Sequence, residues 1–340
     1  MVEDLKNLPT LTRKDFVSSQ EVRWCPGCGD YSILAQAQKT MADMGIPREK
    51  FVVVSGIGCS SRMPYYVNTY GFHTIHGRAP TVATGIKVAN PDLNVWVVTG
   101  DGDSLSIGGN HTLHALRKNI DLKILLFNNQ IYGLTKGQYS PTSELGKKTK
   151  SSPYGSVDYP LSPLSFAAGA GATFIARTLA SDPVHMGEVM GQAAKHRGVA
   201  FVEILQNCVI FNDNAYGELT EKETRPERIL QLEQGKPLVF GKDRKKGIRL
   251  NGLTPEIVEL GDDVKESDLL VHDAGRAGLN YAFLLAEMES PFPIPIGIFH
   301  REDRPTLDQM IHAQVAQARK ALGEGDLMKV FRSGEVWEVA

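Results

Sequence analysis

Cysteine is scarce in this chain, with four among 340 residues. So few thiols exclude the disulfide-stapled scaffold of a small secreted protein. No run of about 18 apolar residues occurs, which leaves no candidate for a membrane-spanning helix. The opening Met1-Val2-Glu3-Asp4-Leu5-Lys6 lacks the apolar stretch of a secretory signal. The expected setting is therefore the reducing cytoplasm, where thiols bind metals. Neither sign of charge dominates: 37 Lys and Arg stand against 39 Asp and Glu, a formal net charge of -2. Nucleic acid and acidic membrane surfaces are accordingly not expected partners. Internal repeats and low-complexity segments are missing too. What remains, 42% hydrophobic and 22% charged, is the composition of a globular protein with one large or two ordinary domains.

Residues 1–20 read as a polar arm, 21–217 as the main domain, and 218–340 as a C-terminal extension expected to contact another subunit. Short unbroken apolar runs occupy 51–54, 95–98, 124–127 and 200–205. Such runs suit strands buried on both faces of a parallel sheet, where alternation would mark a half-exposed one. Helical spacing falls at 79–89, 107–119, 162–170 and 183–197. Asp30 is placed to cap an earlier helix carrying Ile33, Leu34, Ala37, Met41 and Met44. This alternation predicts an α/β fold built on a doubly wound, mostly parallel sheet. Residues 136–161 form a long loop rich in Gly, Ser, Pro, Tyr and Lys, a length that usually signals function or partner contact. In the extension, 267–301 predict two short strands around a helix, and 305–322 an amphipathic helix. Lys242-Asp243-Arg244-Lys245-Lys246 reads as a solvated face.

Cys25 and Cys28 form a Cys-x-x-Cys pair, whereas Cys59 and Cys208 follow separate apolar runs. Four thiols are the ligand count of a [4Fe-4S] cluster or a closed zinc site. The pair alone equally suits a thiol redox motif, and Cys59 and Cys208 equally suit plain core. Gly100-Asp101-Gly102-Asp103 lies between a predicted strand and a helix, and Asn128-Asn129 ends the next strand. Residues 103 to 127 separate them, 25 positions that hold one helix and one strand. The glycines let backbone N–H groups approach a diphosphate. Asp101, the Asn129 side-chain oxygen and a following carbonyl such as that of Ile131 offer the oxygen ligands that Mg²⁺ prefers. In a parallel sheet the C-terminal strand ends share one edge, where ligands of open α/β folds bind. The thiols and this oxygen-rich site are therefore expected to be neighbours.

The pairing of Gly100-Asp101-Gly102 with Asn128-Asn129 is similar to the thiamine-diphosphate motif of thiamine-dependent enzymes. More widely, residues 21–215 resemble the β subunits of 2-oxoacid:ferredoxin oxidoreductases, of the 2-oxoglutarate (2-oxoglutarate synthase) type. The resemblance is carried by Trp24-Cys25-Pro26-Gly27-Cys28-Gly29, Gly56-Ile57-Gly58-Cys59-Ser60 and His73-Thr74-Ile75-His76-Gly77-Arg78-Ala79. It continues through Gly100-Asp101-Gly102-Asp103, Gly108-Gly109-Asn110-His111 and Ile131-Tyr132-Gly133-Leu134-Thr135-Lys136-Gly137-Gln138-Tyr139-Ser140-Pro141-Thr142. The C-terminal third is longer than in the compact archaeal members.

The resemblance implies a [4Fe-4S] cluster on Cys25, Cys28, Cys59 and Cys208, and Mg²⁺ held by Asp101, Asn129 and the Ile131 carbonyl. It implies thiamine diphosphate along Ile57, Gly58, Cys59, His76 and Gly77. Gly100, Gly102, Asp103, Ser104, Asn129, Gly133, Leu134 and Thr135 complete that cofactor set. The implied reaction interconverts 2-oxoglutarate plus coenzyme A with succinyl-CoA plus CO₂, with electrons leaving singly for ferredoxin. An α subunit, in an αβ or α₂β₂ (heterotetrameric) assembly, would supply the glutamate for the aminopyrimidine ring, since no second thiamine-binding domain is visible here.

Arg62, beside Cys59, and Lys136 and Thr135, on the following loop, are the candidate substrate contacts. An arginine can grip the distal carboxylate of 2-oxoglutarate with two parallel hydrogen bonds, and pyruvate has no such group. His76 is the candidate catalytic group. His111 and His114 read as structural, and Tyr132 and Phe127 as core. The competing readings are the same chemistry on pyruvate or branched-chain 2-oxoacids, a non-redox thiamine decarboxylase subunit, and an iron–sulfur carrier or zinc-stabilised binding module without catalysis.

Overall fold

Val52 and Val54 pack into one core and Val53 into another, on opposite faces of the same strand. That double burial is why their run is unbroken, and each fully buried valine contributes roughly 1.5–3 kcal/mol. The structure, a computed structural model, describes residues 11–339. Residues 1–10 of the expected arm lie outside them.

Among the described residues the strands are β1 (Phe51–Ser55), β2 (Tyr70–His73), β3 (Asn94–Gly100), β4 (Leu122–Asn128), β5 (Phe174–Leu179) and β6 (Ala200–Leu205). After them come β7 (Ile229–Gln231), β8 (Val239–Phe240), β9 (Lys246–Asn251), β10 (Thr254–Glu259) and β11 (Ile294–Arg301). The helices are α1 (Asp30–Asp43), α2 (Met63–Tyr66), α3 (Ala79–Ala89), α4 (Asp101–Leu105), α5 (Gly109–Arg117) and α6 (Pro163–Gly169). They continue with α7 (Pro183–Lys195), α8 (Gly217–Thr220), α9 (Arg225–Arg228), α10 (Asn280–Ala286), α11 (Leu307–Leu322) and α12 (Leu327–Phe331).

The main sheet runs β2-β1-β3-β4-β6-β5-β11-β7. Its first six strands are parallel, β11 is antiparallel to β5, and β7 is parallel to β11. The α/β expectation is met: α3, α5 and α6 supply residues to one core, and α1 and α7 to the other. The chain after 218 adds two strands to this sheet and a small antiparallel sheet, β10-β9-β8. Within 267–301 only one of the two expected strands forms. The first is reduced to a single bridge between Val271 and Pro237.

Strand order reverses at β1, with β2 on one side and β3 on the other. A crevice opens at such a switch point, beyond the carboxyl ends of the diverging strands. Asp30 departs from its expected role: Gly29 occupies the cap position, and the Asp30 side chain is buried.

The centre of the sheet holds one charged pair. Arg177 Nε on β5 donates to Glu203 Oε2 on β6 at 2.6 Å, and Asn128 Nδ2 on β4 donates to Glu203 Oε1 at 2.7 Å. Glu203 is 1% exposed. Removing one partner strands the other charge in the interior, at about 3–5 kcal/mol. Glu203→Leu is therefore expected to lower the unfolding free energy from urea titration by that amount, and a value within experimental error of the parent would refute it.

Candidate active site

The reversal in strand order is where the sequence-predicted residues meet. A cleft of about 650 Å³ opens over the ends of β1, β3 and β4. The turn after β1 contributes Ile57, Gly58, Cys59 and Arg62; the turn after β3 contributes Gly100, Asp101, Gly102 and Asp103. Asn129, Ile131, Gly133, Leu134 and Thr135 enter from the segment after β4, and His76 from the segment after β2. Of the predicted site residues, Cys25, Cys28 and Cys208 stand outside the lining, as do Gly77, Ser104 and Lys136. Gly77 donates its N–H to Asp103 Oδ1 at 2.6 Å, so it shapes the wall from behind. Ser104 is buried against Thr112, with the two hydroxyls 2.9 Å apart. Lys136 is exposed one residue beyond Thr135, with φ +78°.

Asp101 is 2% exposed, and Ser140 Oγ and Thr142 Oγ1 donate to its Oδ2 at 2.5 and 2.6 Å. Burial pushes its carboxyl up to about 6, partly offset by those hydroxyls. Among the described residues no cationic side chain pairs with it. A buried carboxylate without a counter-charge is costly, and a bound cation relieves that cost. Asn129 Oδ1 accepts the Ile131 N–H at 3.2 Å, which holds that side chain at the rim. The Ile131 carbonyl accepts no hydrogen bond among the described residues. Carboxylate, amide oxygen and free carbonyl are the hard donors of a Mg²⁺ site, and these residues fit one.

Ser140 and Thr142 give the long 136–161 loop a task that its sequence leaves unstated, that of holding Asp101. Thr142 Oγ1 also lies 2.9 Å from Asn128 Oδ1, so Asp101 is tied through Asn128 to the Glu203–Arg177 pair. Asp103 is fixed in the same manner, with Thr99 Oγ1 donating to Oδ2 at 2.8 Å. Its carboxyl is raised by burial, against the Gly77 N–H and the Thr99 hydroxyl.

The four cysteines are all free thiols. Cys25 and Cys28 close a turn in which the Cys28 N–H meets the Cys25 carbonyl at 3.0 Å. A Cβ on Gly133 would stand 3.5 Å from Cys208 Sγ and 3.8 Å from Cys59 Sγ. The absence of a side chain at 133 thus leaves room between sulfurs that come from β6 and β1. Burial pushes the Cys28 thiol up, as do Asp30, Cys59 and Cys208. Burial first, then Asp30, Cys208 and Cys25 raise Cys59 to about 11, while Arg62 opposes. A metal that binds thiolates and releases their protons suits such a group.

Among the described residues no three His, Cys, Asp or Glu side chains converge on a single ion. One zinc ion would draw four sulfurs to about 3.8 Å from each other, given a Zn–S bond near 2.3 Å. In a four-iron cluster each thiolate binds a different iron from outside the Fe₄S₄ cube, so its sulfurs stand farther apart than around one zinc ion.

The cleft also holds residues that sequence reasoning missed. Tyr132, expected in the core, lines it, and its hydroxyl donates to the Gly102 carbonyl at 2.9 Å. Phe127 is core as expected, although its edge reaches the cleft. Asp30, Tyr65, Tyr66, His73 and Arg23 line it too. His73 carried a signal, being four positions before Gly77 in the segment that contains His76. Trp24 Nε1 donates to the Cys59 carbonyl at 2.7 Å, which pins the cysteine turn to the β1 turn. His111 lies against Arg78 and Thr81.

The family described as "Thiamine pyrophosphate enzyme, C-terminal TPP binding domain" matches residues 56–204, the stretch from the β1 turn to β6. The matched domain is one that binds thiamine diphosphate. The chain is 52% identical over 330 residues to the 2-oxoglutarate oxidoreductase subunit KorB of Mycobacterium tuberculosis, covering 96% of this chain and 88% of that one. It is 45% identical over 213 residues to the 2-oxoacid:ferredoxin oxidoreductase subunit beta of Saccharolobus solfataricus, covering 62% and 68%. A solved 2-oxoglutarate:ferredoxin oxidoreductase from Magnetococcus marinus superposes with a TM-score of 0.76 at 35% identity, over 97% of this chain and 98% of that one. That structure holds 2-oxoglutarate, coenzyme A and succinyl-CoA. Near full-length agreement in sequence and fold makes the chain a member of the 2-oxoacid:ferredoxin oxidoreductase β subunits, an oxidoreductase subunit that works in complex with others.

Proposed function

We propose that this chain is the β subunit of an enzyme that interconverts 2-oxoglutarate plus coenzyme A with succinyl-CoA plus CO₂. In the oxidative direction two electrons leave one at a time for two ferredoxins, with one proton released. The observation that carries this reading is one cleft lined by the buried, unpaired Asp101 carboxylate, Asn129 and Ile131, with Cys59 on its wall. Thiamine diphosphate supplies the electron sink for decarboxylation, and a [4Fe-4S] cluster a one-electron acceptor. Asp101, Asn129 and the Ile131 carbonyl would hold Mg²⁺, and through it the diphosphate. Ile57, Gly58, Gly100 and Gly102 bring backbone close to that group. Cys25, Cys28, Cys59 and Cys208 would hold the cluster, and Cys59 also borders the cleft. His76, exposed at the cleft wall, is the candidate to hold or move a proton there.

An α subunit is the partner this surface suits. Tyr65, Ile75 and Leu134 are 55%, 69% and 51% exposed on or next to the rim, and all four residues of edge strand β2 are exposed. An apolar rim around a half-walled cleft is what a second subunit would cover. The relatives' names support coenzyme A and ferredoxin as co-substrate and electron partner.

Arg62 lines the cleft, and among the described residues no carboxylate pairs with it. Lys136, one residue past Thr135, is the second candidate cation for the distal carboxylate. Arg62→Ala removes a charge-assisted pair of hydrogen bonds, each contributing roughly 1.5–3 kcal/mol. The KM for 2-oxoglutarate is expected to rise about 10–100-fold, with kcat much less affected. An unchanged KM removes Arg62 from the role. The substrate itself is settled by producing the chain with its α subunit anaerobically and comparing coenzyme-A-dependent viologen reduction. 2-Oxoglutarate should far exceed pyruvate and 2-oxoisovalerate, and equal use of pyruvate would overturn the assignment.

A further inference from the structure

Gln206 extends β6 by one residue beyond Leu205, its N–H bonded to the Asn128 carbonyl at 2.9 Å. It lies two positions before Cys208 and is 1% exposed. Its Nε2 donates to Cys28 Sγ at 3.2 Å and to the Asn207 carbonyl at 2.7 Å, which uses both amide protons. Turning the amide over would set its oxygen against two acceptors, so these contacts fix its orientation. The amide oxygen meets no donor among the described residues. A buried carbonyl left unpaired costs roughly 1–3 kcal/mol, so the side chain is held for what its nitrogen does. Gly29 makes the approach possible: a Cβ there would stand 2.8 Å from Gln206 Cγ. Among the described residues, Cys28 is the one cysteine whose sulfur receives a side-chain N–H.

We propose that Gln206 sets the reduction potential of the cluster on Cys25, Cys28, Cys59 and Cys208, an inference that rests on the cluster reading above. Reduction adds one negative charge to the cluster, shared with its thiolate sulfurs. A donor aimed at one of those sulfurs stabilises the reduced form more than the oxidised form. Asp30, whose carboxyl also faces Cys28, opposes this when ionised. Gln206 is thus a positioning and tuning residue that touches neither substrate nor thiamine.

The test uses the αβ complex, purified anaerobically as wild type, Gln206→Met and Gln206→Glu. Methionine keeps the length and loses the donor, and glutamate keeps the shape and adds a negative charge. Iron and acid-labile sulfide are measured first, and iron-free wild type would end the cluster reading and this inference with it. A redox titration followed by electron paramagnetic resonance then reads the potential. Gln206→Met should shift the reduction equilibrium about tenfold towards the oxidised form, roughly 59 mV lower for a one-electron couple, and Gln206→Glu further still. A fully loaded Gln206→Met cluster at the wild-type potential overturns the tuning role and leaves the cluster reading intact. If the variants lose iron, wild-type complex with ¹⁵N-labelled glutamine amides decides. Its reduced cluster should show a nitrogen coupling that changes with the label, and no coupling overturns the proposal.

Discussion

Cys59→Ser, in the complex with its α subunit, is expected to lose cluster iron and to reduce viologen at a rate lower by more than about 100-fold. Even residues that only orient a metal ligand typically account for 10–100-fold in affinity or activity, and Cys59 is proposed as a ligand itself. Serine preserves the size and backbone of the turn, including the carbonyl to which Trp24 Nε1 donates. It offers a hydroxyl in place of the thiolate that iron prefers. The thiamine side of the cleft should survive, because Asp101 and Asn129 come from β3 and β4 and share no hydrogen bond with Cys59. The measurements are iron per complex, viologen reduction and thiamine diphosphate affinity. Retained iron and full activity would defeat the four-cysteine assignment, and loss of iron with full coenzyme-A-dependent activity would defeat the electron path.

Where sequence and structure agree, the physical cause is a strong local constraint. The runs at 51–54, 95–98, 124–127 and 200–205 are strands because both faces of each are buried. β5 was not legible. Arg177 and Thr178 interrupt its apolar pattern, and the Glu203 carboxylate on β6, with the Phe299 ring beneath the guanidinium, makes an arginine tenable there. β2 was invisible for the opposite reason: Tyr70, Gly71, Phe72 and His73 are all exposed, so no burial pattern marks it. In the site, glycines and oxygen donors at strand ends announce themselves, because few residue types can serve there. Asp30 and Tyr132 do not. An acid at a helix start looks like a cap, and only the proximity of Cys28 shows a buried carboxyl. Tyr132 sits in the space that a Cβ on Gly102 would need, 2.2 Å from its Cε1. A packing relation between residues thirty positions apart leaves no periodicity to read.

Asp101→Asn is expected to separate binding from stability with opposite signs. The substitution preserves shape, and Oδ1 of asparagine can still accept from Ser140 or Thr142. It removes the one carboxylate proposed for Mg²⁺, so calorimetric titration of Mg²⁺ into the complex with thiamine diphosphate should show affinity lower by at least about 100-fold. Activity should fall in parallel and recover in part at high Mg²⁺. The metal-free protein should not suffer. In the parent, Asp101 is a buried charge with no cationic side chain paired to it, and an unpaired buried charge opposes folding. Metal-free Asp101→Asn should thus melt at or above the parent temperature at neutral pH. Saturating Mg²⁺ and thiamine diphosphate, which at ~100 Kd add about 2.7 kcal/mol to a binder, should raise the parent's melting temperature and leave the variant's nearly unmoved. A variant less stable than the metal-free parent would mean that the Asp101 carboxylate is held for the fold through Ser140 and Thr142. Unaltered Mg²⁺ affinity would move the metal site elsewhere in the cleft.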